Sequence, residues 1–198
     1  MLLPKAWPRP LIRGVTLLES TGDMEPLPTF RYHPEPLVTG SIRASRAVCR
    51  CCSRARGYIY AGPVYCEDEL REALCPWCIA SGVAAEQFDA VFSDDHQLLQ
   101  SALDDEIVRE VTRRTPGFNG WQQEVWLSHC NDVCAFYGDA PREALSTRSA
   151  QEQLASRSIV PFGQWSTFVE RYHPGGNPSI YLFVCLHCSE RLLQLDFT

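Results

Sequence analysis

Eight of the ten cysteines fall into four close pairs: Cys49 with Cys52, Cys75 with Cys78, Cys130 with Cys134, and Cys185 with Cys188. Spacings of two or three residues let two thiolates on one tight turn reach the same tetrahedral zinc ion. Four such pairs fill two sites of four thiolates each. A site closed in this way holds structure together and leaves no coordination position for a substrate, which counts against zinc catalysis.

The first quartet is Cys49, Cys52, Cys75 and Cys78. Its two pairs are separated by 22 residues, slightly more than the usual zinc-ribbon interval. Arg43, Arg46, Arg50, Arg54 and Arg56 surround its first pair in sequence, and guanidiniums nearby would favour thiolate over thiol. Cys51 lies inside the same turn and could replace Cys49 or Cys52. The second quartet is Cys130, Cys134, Cys185 and Cys188, with 50 residues between the pairs. His129 and His187 each neighbour a Cys and could substitute for a thiolate. Two unrelated pairs of core cysteines are the alternative. Cys66 is left over, as a thiol on a hairpin.

The elements that must position these residues read as a mixed α+β fold: a zinc-ribbon-like lobe, helical segments, and a C-terminal strand leading into a knuckle. Residues 1–23, with prolines at 4, 8 and 10, form an irregular extension; residues 24–198 form the metal-binding domain, its ribbon lobe at about 45–92. Residues 28–48 read as extended and loop-like. Tyr58–Tyr60 and Val64–Tyr65 flank Ala61-Gly62-Pro63 as a hairpin. One or two helical turns fit between Glu67 and Leu74. The run ASGVAAEQFDAVF reads as a helix, as does Asp105–Arg113. The spacing of Trp121, Val125, Trp126 and His129 predicts a helix that delivers Cys130 and Cys134. Residues 139–158 read as exposed helix and loop. Tyr181–Val184 is a strand, and Leu192–Phe197 closes as another.

Composition narrows the function. The chain is 198 residues long with net charge −6, and no apolar run approaches a membrane span. The start lacks a signal-peptide h-region, so a reducing cytoplasmic setting is expected, where cysteines serve metals more often than disulfides. Residues 58–112 hold twelve acidic and two basic side chains. That imbalance disfavours nucleic acid and favours a basic protein partner, with Glu67, Asp68, Glu69, Asp104, Asp105 and Glu106 as candidate contacts. No phosphate-binding loop, dinucleotide fingerprint, nucleophile elbow or zinc-protease helix occurs, and the deaminase signature is incomplete. Glu124 and His129 are too poorly placed on a shared helix to act as an acid/base pair; Glu124 reads as a surface residue.

Several strings together resemble one family: FRYHPEPLVTGSI, the Cys-x-Cys-Cys cluster followed by GYIYAGPVY, LCPWCIASGVAAEQFDA, RTPGFNGWQQEVWLSHCNDVCAF, and YLFVCLHC. In order and content they resemble the CbrC family, small bacterial proteins named for tolerance to an E-type colicin. The resemblance runs from about Pro28 to the C-terminus. Cys66 departs from it, as does Ser53, where a Gly often follows the knuckle. The resemblance implies protection from a nuclease-type toxin, and an acidic surface suits a basic nuclease domain. The leading expectation is therefore a non-enzymatic protein holding two Zn2+ that confers tolerance or immunity by protein–protein binding. A zinc-ribbon regulator that binds nucleic acid or a cellular protein is the alternative, and a metal-dependent hydrolase the third.

Overall fold

A computed structural model of the chain describes residues 25–155 and 164–197. The proline-rich extension expected at 1–23 lies outside the described residues. The fold is mixed α+β with small antiparallel sheets. In chain order it contains β1 (Ile42–Ala44), β2 (Tyr58–Tyr60), α1 (Pro76–Ala80), α2 (Val83–Phe88), α3 (His96–Leu99), α4 (Asp105–Arg114), β3 (Ser128–His129) and β4 (Asp132–Val133). There follow β5 (Ala135–Asp139), α5 (Arg142–Leu145), α6 (Arg148–Ala155), α7 (Trp165–Arg171), β6 (Ser179–Val184) and β7 (Arg191–Asp196).

The N-terminal lobe departs from the expected hairpin. β2 pairs with β1, Tyr60 opposite Ile42, so the segment read as a loop supplies a strand. Tyr65 instead bridges to Val91. The reason lies in Tyr60, which is fully buried and donates its hydroxyl to the Pro63 carbonyl at 2.7 Å. Its ring fills the space beside Gly62, where a Cβ would come within 2.5 Å of the hydroxyl. The chain after β2 therefore folds over Tyr60 rather than back along the strand. No helix forms between Glu67 and Leu74. Of the helix expected over 80–92 only α2 forms, set off from α1 by Gly82 at φ +81° and ended by the left-handed Asp89.

α4 forms where its apolar stripe predicts, with Val108 and Val111 buried. Asp104 caps it, accepting from the Glu106 N–H at 2.8 Å. The expected helix over 121–129 does not form. The N–H groups of Trp121 and Gln122 donate to the Asp196 carboxylate at 2.6 and 3.1 Å, and the Trp126 indole donates to Ser93 at 2.9 Å. Residues 128–133 make a hairpin whose two turn residues, Cys130 and Asn131, have φ of 54° and 56°. A right-handed helix cannot hold that pair, whereas a two-residue hairpin turn requires it.

The C-terminal half is built on the sheet β5-β6-β7. Over residues 139–154 the segment read as exposed packs inward instead, with Leu145, Ala150 and Leu154 buried against Trp165, Ile180 and Leu193; 156–158 lie outside the described residues. Between the two ends lies an aromatic core in which Phe118 stacks on Phe136 at 3.9 Å. His33 is sealed into this core. Its Nδ1–H donates to the Pro116 carbonyl at 2.7 Å, and its Nε2 accepts from Thr39 Oγ1 at 2.7 Å, which assigns the neutral tautomer.

Burial lowers the His33 pKa from 6.5 to about 4. The unfolded chain therefore binds a proton that the folded one refuses between these values. The stabilisation is complete above pH 6.5 and is lost as pH falls towards 4, by about 3 kcal/mol at most. Urea unfolding of the parent and of His33→Gln should show a stability gap at pH 7 that narrows steadily as pH falls to about 4.5. A gap independent of pH would show that His33 titrates in the fold as it does in the unfolded chain.

Candidate metal centres

Two groups of four side chains have donor atoms all within 4.8 Å of one another, at spacing suited to a metal ion: Cys49, Cys52, Cys75 and Cys78, and His129, Cys130, Cys185 and Cys188. In the first, Sγ–Sγ separations are 3.9 Å for Cys49–Cys78, 3.8 Å for Cys52–Cys75 and 3.5 Å for Cys75–Cys78. Four sulfurs held at about 2.3 Å from a tetrahedral zinc would be roughly 3.8 Å apart, so the donor set fits the ion. Cys49, Cys75 and Cys78 are buried and belong to the N-terminal core. The Cys49–Cys52 turn sits in the connection between β1 and β2, and Cys75 with Pro76 opens α1. Cys51 is not among the four.

The second group differs from the expected quartet in one member. Cys134 is fully buried in the aromatic core, its N–H on the Leu127 carbonyl at 2.8 Å, and does not join the cluster. His129 takes its place, with Nδ1 at 3.2 Å from Cys130 Sγ and 3.4 Å from Cys188 Sγ; the two sulfurs are 3.8 Å apart. The cause is the hairpin. Its turn puts Cys130 at the tip beside His129, while Cys134 lies past β4, where it turns into the core. The His129-Cys130 dipeptide was the visible signal, masked by the tidier Cys-x-x-x-Cys spacing.

The two Cys-x-x-Cys turns have the same backbone wiring. The N–H of Cys49 donates to the Arg54 carbonyl at 3.0 Å, and that of Ser53 to the Cys49 carbonyl at 2.8 Å. The N–H of Cys185 donates to the Glu190 carbonyl at 2.8 Å, and that of Ser189 to the Cys185 carbonyl at 3.0 Å. In both, the residue after the second Cys is left-handed: Ser53 at φ 55° and Ser189 at φ 62°. In both, backbone N–H groups converge on the first sulfur. The Cys75 N–H lies 3.3 Å from Cys49 Sγ, and the His187 N–H 3.5 Å from Cys185 Sγ. The Cys75 thiol and the N–H groups of Cys52, Cys75 and Cys51 pull the Cys49 thiol down to about 4. The N–H groups of Cys188 and His187 pull that of Cys185 down to about 6. A sulfur so surrounded is prepared to be a thiolate ligand.

A buried carboxylate fastens the second centre. Asp132 Oδ1 accepts from the Tyr32 hydroxyl at 2.8 Å and from the Val133 N–H at 2.8 Å; Oδ2 accepts from Arg31 at 2.6 Å and from His187 Nε2 at 2.8 Å. Burial works against its charge, but the bonds from Tyr32, His187 and Val133 and the Arg31 cation hold its pKa below the ordinary value. His187 is thus not a fifth donor. It ties the Cys185–Cys188 turn to the hairpin that carries His129 and Cys130.

The other candidate residues are scattered. Of the five arginines, Arg56 pairs with Glu25, also reaches the Cys75 thiol and lies over Trp77 at 4.1 Å, while Arg43 and Arg50 pair with Glu72 and Asp68. Glu69 Oε1 accepts from the Arg71 N–H at 3.3 Å, Asp104 is a helix cap, and Glu106 pairs with Arg109. Glu124 is not a surface residue. It is buried, accepting from Tyr65 at 3.0 Å and from the Asp94 N–H at 2.8 Å, which leaves no pairing with His129. Cys66 donates to the Asp68 carbonyl at 3.1 Å.

Comparison with known proteins assigns the chain. Residues 27–197 match the model of an uncharacterised protein family, UPF0167, and the chain belongs to that family. It is 53% identical over 177 residues to "UPF0167 protein PA1536" of Pseudomonas aeruginosa, a match covering 87% of this chain and 98% of the relative. It is 42% identical over 184 residues to "UPF0167 protein Mb2317" of Mycobacterium bovis, covering 91% and 98%. The CbrC resemblance drawn from the sequence strings is corrected by this assignment, and the tolerance role that came with it is not carried forward. No solved structure matches.

The left-handed serines yield a test. An L-residue at such φ is strained by about 1 kcal/mol relative to glycine. Ser53→Gly and Ser189→Gly should each raise the unfolding free energy by about 0.5–1 kcal/mol without changing metal content. Chemical denaturation with metal analysis checks this; a loss of stability would mean that the hydroxyls matter more than the strain.

Proposed function

We propose that this chain is a non-enzymatic zinc-binding protein carrying two Zn2+, one in a zinc-ribbon-like lobe and one between the β3–β4 hairpin and the Cys185–Cys188 turn. The observation that carries the reading is the repeated knuckle wiring, with N–H groups aimed at the first sulfur of each turn. Bound zinc would supply charge neutralisation and a cross-link between segments distant in sequence. A donor set of four thiolates at the first centre, or three and an imidazole at the second, leaves no open position, which is why an enzymatic role is not favoured. No helix among the described residues is long and apolar enough to cross a membrane.

Elemental analysis of the purified chain should find two zinc ions. Cys78→Ser and His129→Ala should each lose one ion, whereas Cys134→Ala should keep both and cost only about 1–2 kcal/mol of core packing. Iron in place of zinc, or retention of both ions by His129→Ala, would overturn the assignment.

A protein partner of basic character is the reading that the exposed acidic groups favour. The six candidates are not equivalent, because four have structural duties within the chain. Glu67 and Asp105 are exposed and carry none of those duties. The immobilised protein should therefore capture a partner at low salt, and the double variant Glu67→Lys/Asp105→Lys should lose that capture while keeping its metal and its fold. Equal capture by the well-folded double variant would dismiss the acidic face as the contact.

A further inference from the structure

Away from both metal centres, an open cavity of about 500 Å3 lies at the other end of the β5-β6-β7 sheet. Its size is that of a small-molecule site, and aromatic rings make up much of its lining. Trp121 and Tyr137 stand at it with 51% and 40% of their surface exposed. The Trp121 ring is held in place, since its indole N–H donates to the Gly176 carbonyl and to Ser179 Oγ, both at 3.2 Å. Exposed large aromatics fixed in position around a cavity are unusual on a surface that has no further use for them.

The cavity has one charged side chain, Asp139, and no Arg, Lys or His among its described lining residues. The Asp139 carboxylate accepts from the Gly175 N–H and from Ser179, yet its Oδ1 is buried without a hydrogen-bond partner, alone among the buried side-chain oxygens and nitrogens of the described residues. Such an atom calls for an explanation, because leaving it unpaired costs free energy. Its backbone is set by a bulge. Phe136 pairs with Phe183 and Asp139 with Tyr181, so β5 carries one extra residue, and Gly138 within it has φ +83°. A glycine bulge of this kind re-aims the next side chain. The second carboxylate at this end of the sheet, Asp196, is also without a cation. It accepts from the N–H groups of Trp121 and Gln122 and from the Tyr181 hydroxyl. A negative, aromatic, partly enclosed site without a counter-charge suits a cation with an apolar body.

We propose that this cavity binds a small organic cation, a guanidinium or primary ammonium on a short apolar chain, with Asp139 taking the charge and the Trp121 and Tyr137 rings taking the chain. The site is independent of the metal assignment. Titration of the intact protein with n-butylguanidinium, followed by Trp fluorescence and by calorimetry, should saturate with a dissociation constant on the order of millimolar or tighter. The neutral isostere n-butylurea should bind at least about tenfold more weakly, and Asp139→Asn should weaken the cation by about tenfold or more. Trp121→Ala, at an exposed position, should also weaken it and leave the fold intact. Should Asp139→Asn fail to fold, amide shifts of the parent decide the matter: changes centred on Trp121, Gly138 and Gly175 support the site, and changes elsewhere overturn it. Equal binding of the urea, or no saturable binding of the cation by the parent, would overturn it as well.

Discussion

Four sulfurs cannot be held within 4.8 Å of one another as thiolates unless something offsets their charge, and this constraint shapes the first lobe. Part of the offset is in the backbone, because the Cys49–Cys52 turn folds its own N–H groups towards a sulfur, and so does Cys75. That folding requires a left-handed residue straight after the second Cys, a place filled by Ser53 at some cost in strain. Arg56, itself paired with Glu25, adds some positive charge beside Cys75, and a metal ion, which the donor set fits, would supply the rest.

The second centre meets the same constraint in a more exposed setting. Cys130 and Cys188 are exposed and His129 half-buried, so water screens the cluster on one side. An imidazole in place of a fourth sulfur also leaves less negative charge to be offset. What the site lacks in burial it gains from Asp132, which joins Arg31, Tyr32 and His187 to the β4 strand through four bonds to one buried carboxylate. The N-terminal segment, the hairpin and the C-terminal turn thereby share one anchor. A half-satisfied carboxylate in that position would destabilise all three; a fully satisfied one orders them.

Much of this was legible in the sequence, and the failures are physical. The first quartet and the Cys185–Cys188 turn were readable because their spacing is local and a knuckle is a local structure. α4 was readable from its stripe and cap, and β6 from its run of β-branched and aromatic residues. Cys134 misled because a four-residue cysteine spacing looks like ligand geometry whatever the backbone does between. The left-handed pair Cys130-Asn131 makes that backbone a hairpin, and cysteine gives no sign of such a conformation. The helix read through Trp121–His129 failed for a related reason. Its apolar spacing is real, but the segment runs into the 128–133 hairpin, whose left-handed Cys130 and Asn131 a right-handed helix cannot hold. Glu124 was misread as surface because its partners, Tyr65 and Asp94, are likewise distant in sequence.

The three-stranded sheet links the two ends of the C-terminal half. β5 leaves the hairpin at Ala135, opposite Val184, which immediately precedes Cys185. It ends at Asp139, opposite Tyr181, while Ser179 pairs with Asp196 on the other side. The second candidate metal centre and the aromatic cavity therefore lie at opposite ends of the same strands, roughly 15 Å apart at ~3.3 Å per residue. Strand register is all-or-none, since a slip of one residue exchanges the two faces. Pinning Ala135 against Val184 through the hairpin and the Cys185–Cys188 turn thus also fixes where the Gly138 bulge falls, and with it the direction of Asp139. In this way the hairpin and the Cys185–Cys188 turn, which do not line the cavity, decide which residues of β5 and β6 face each other beside it.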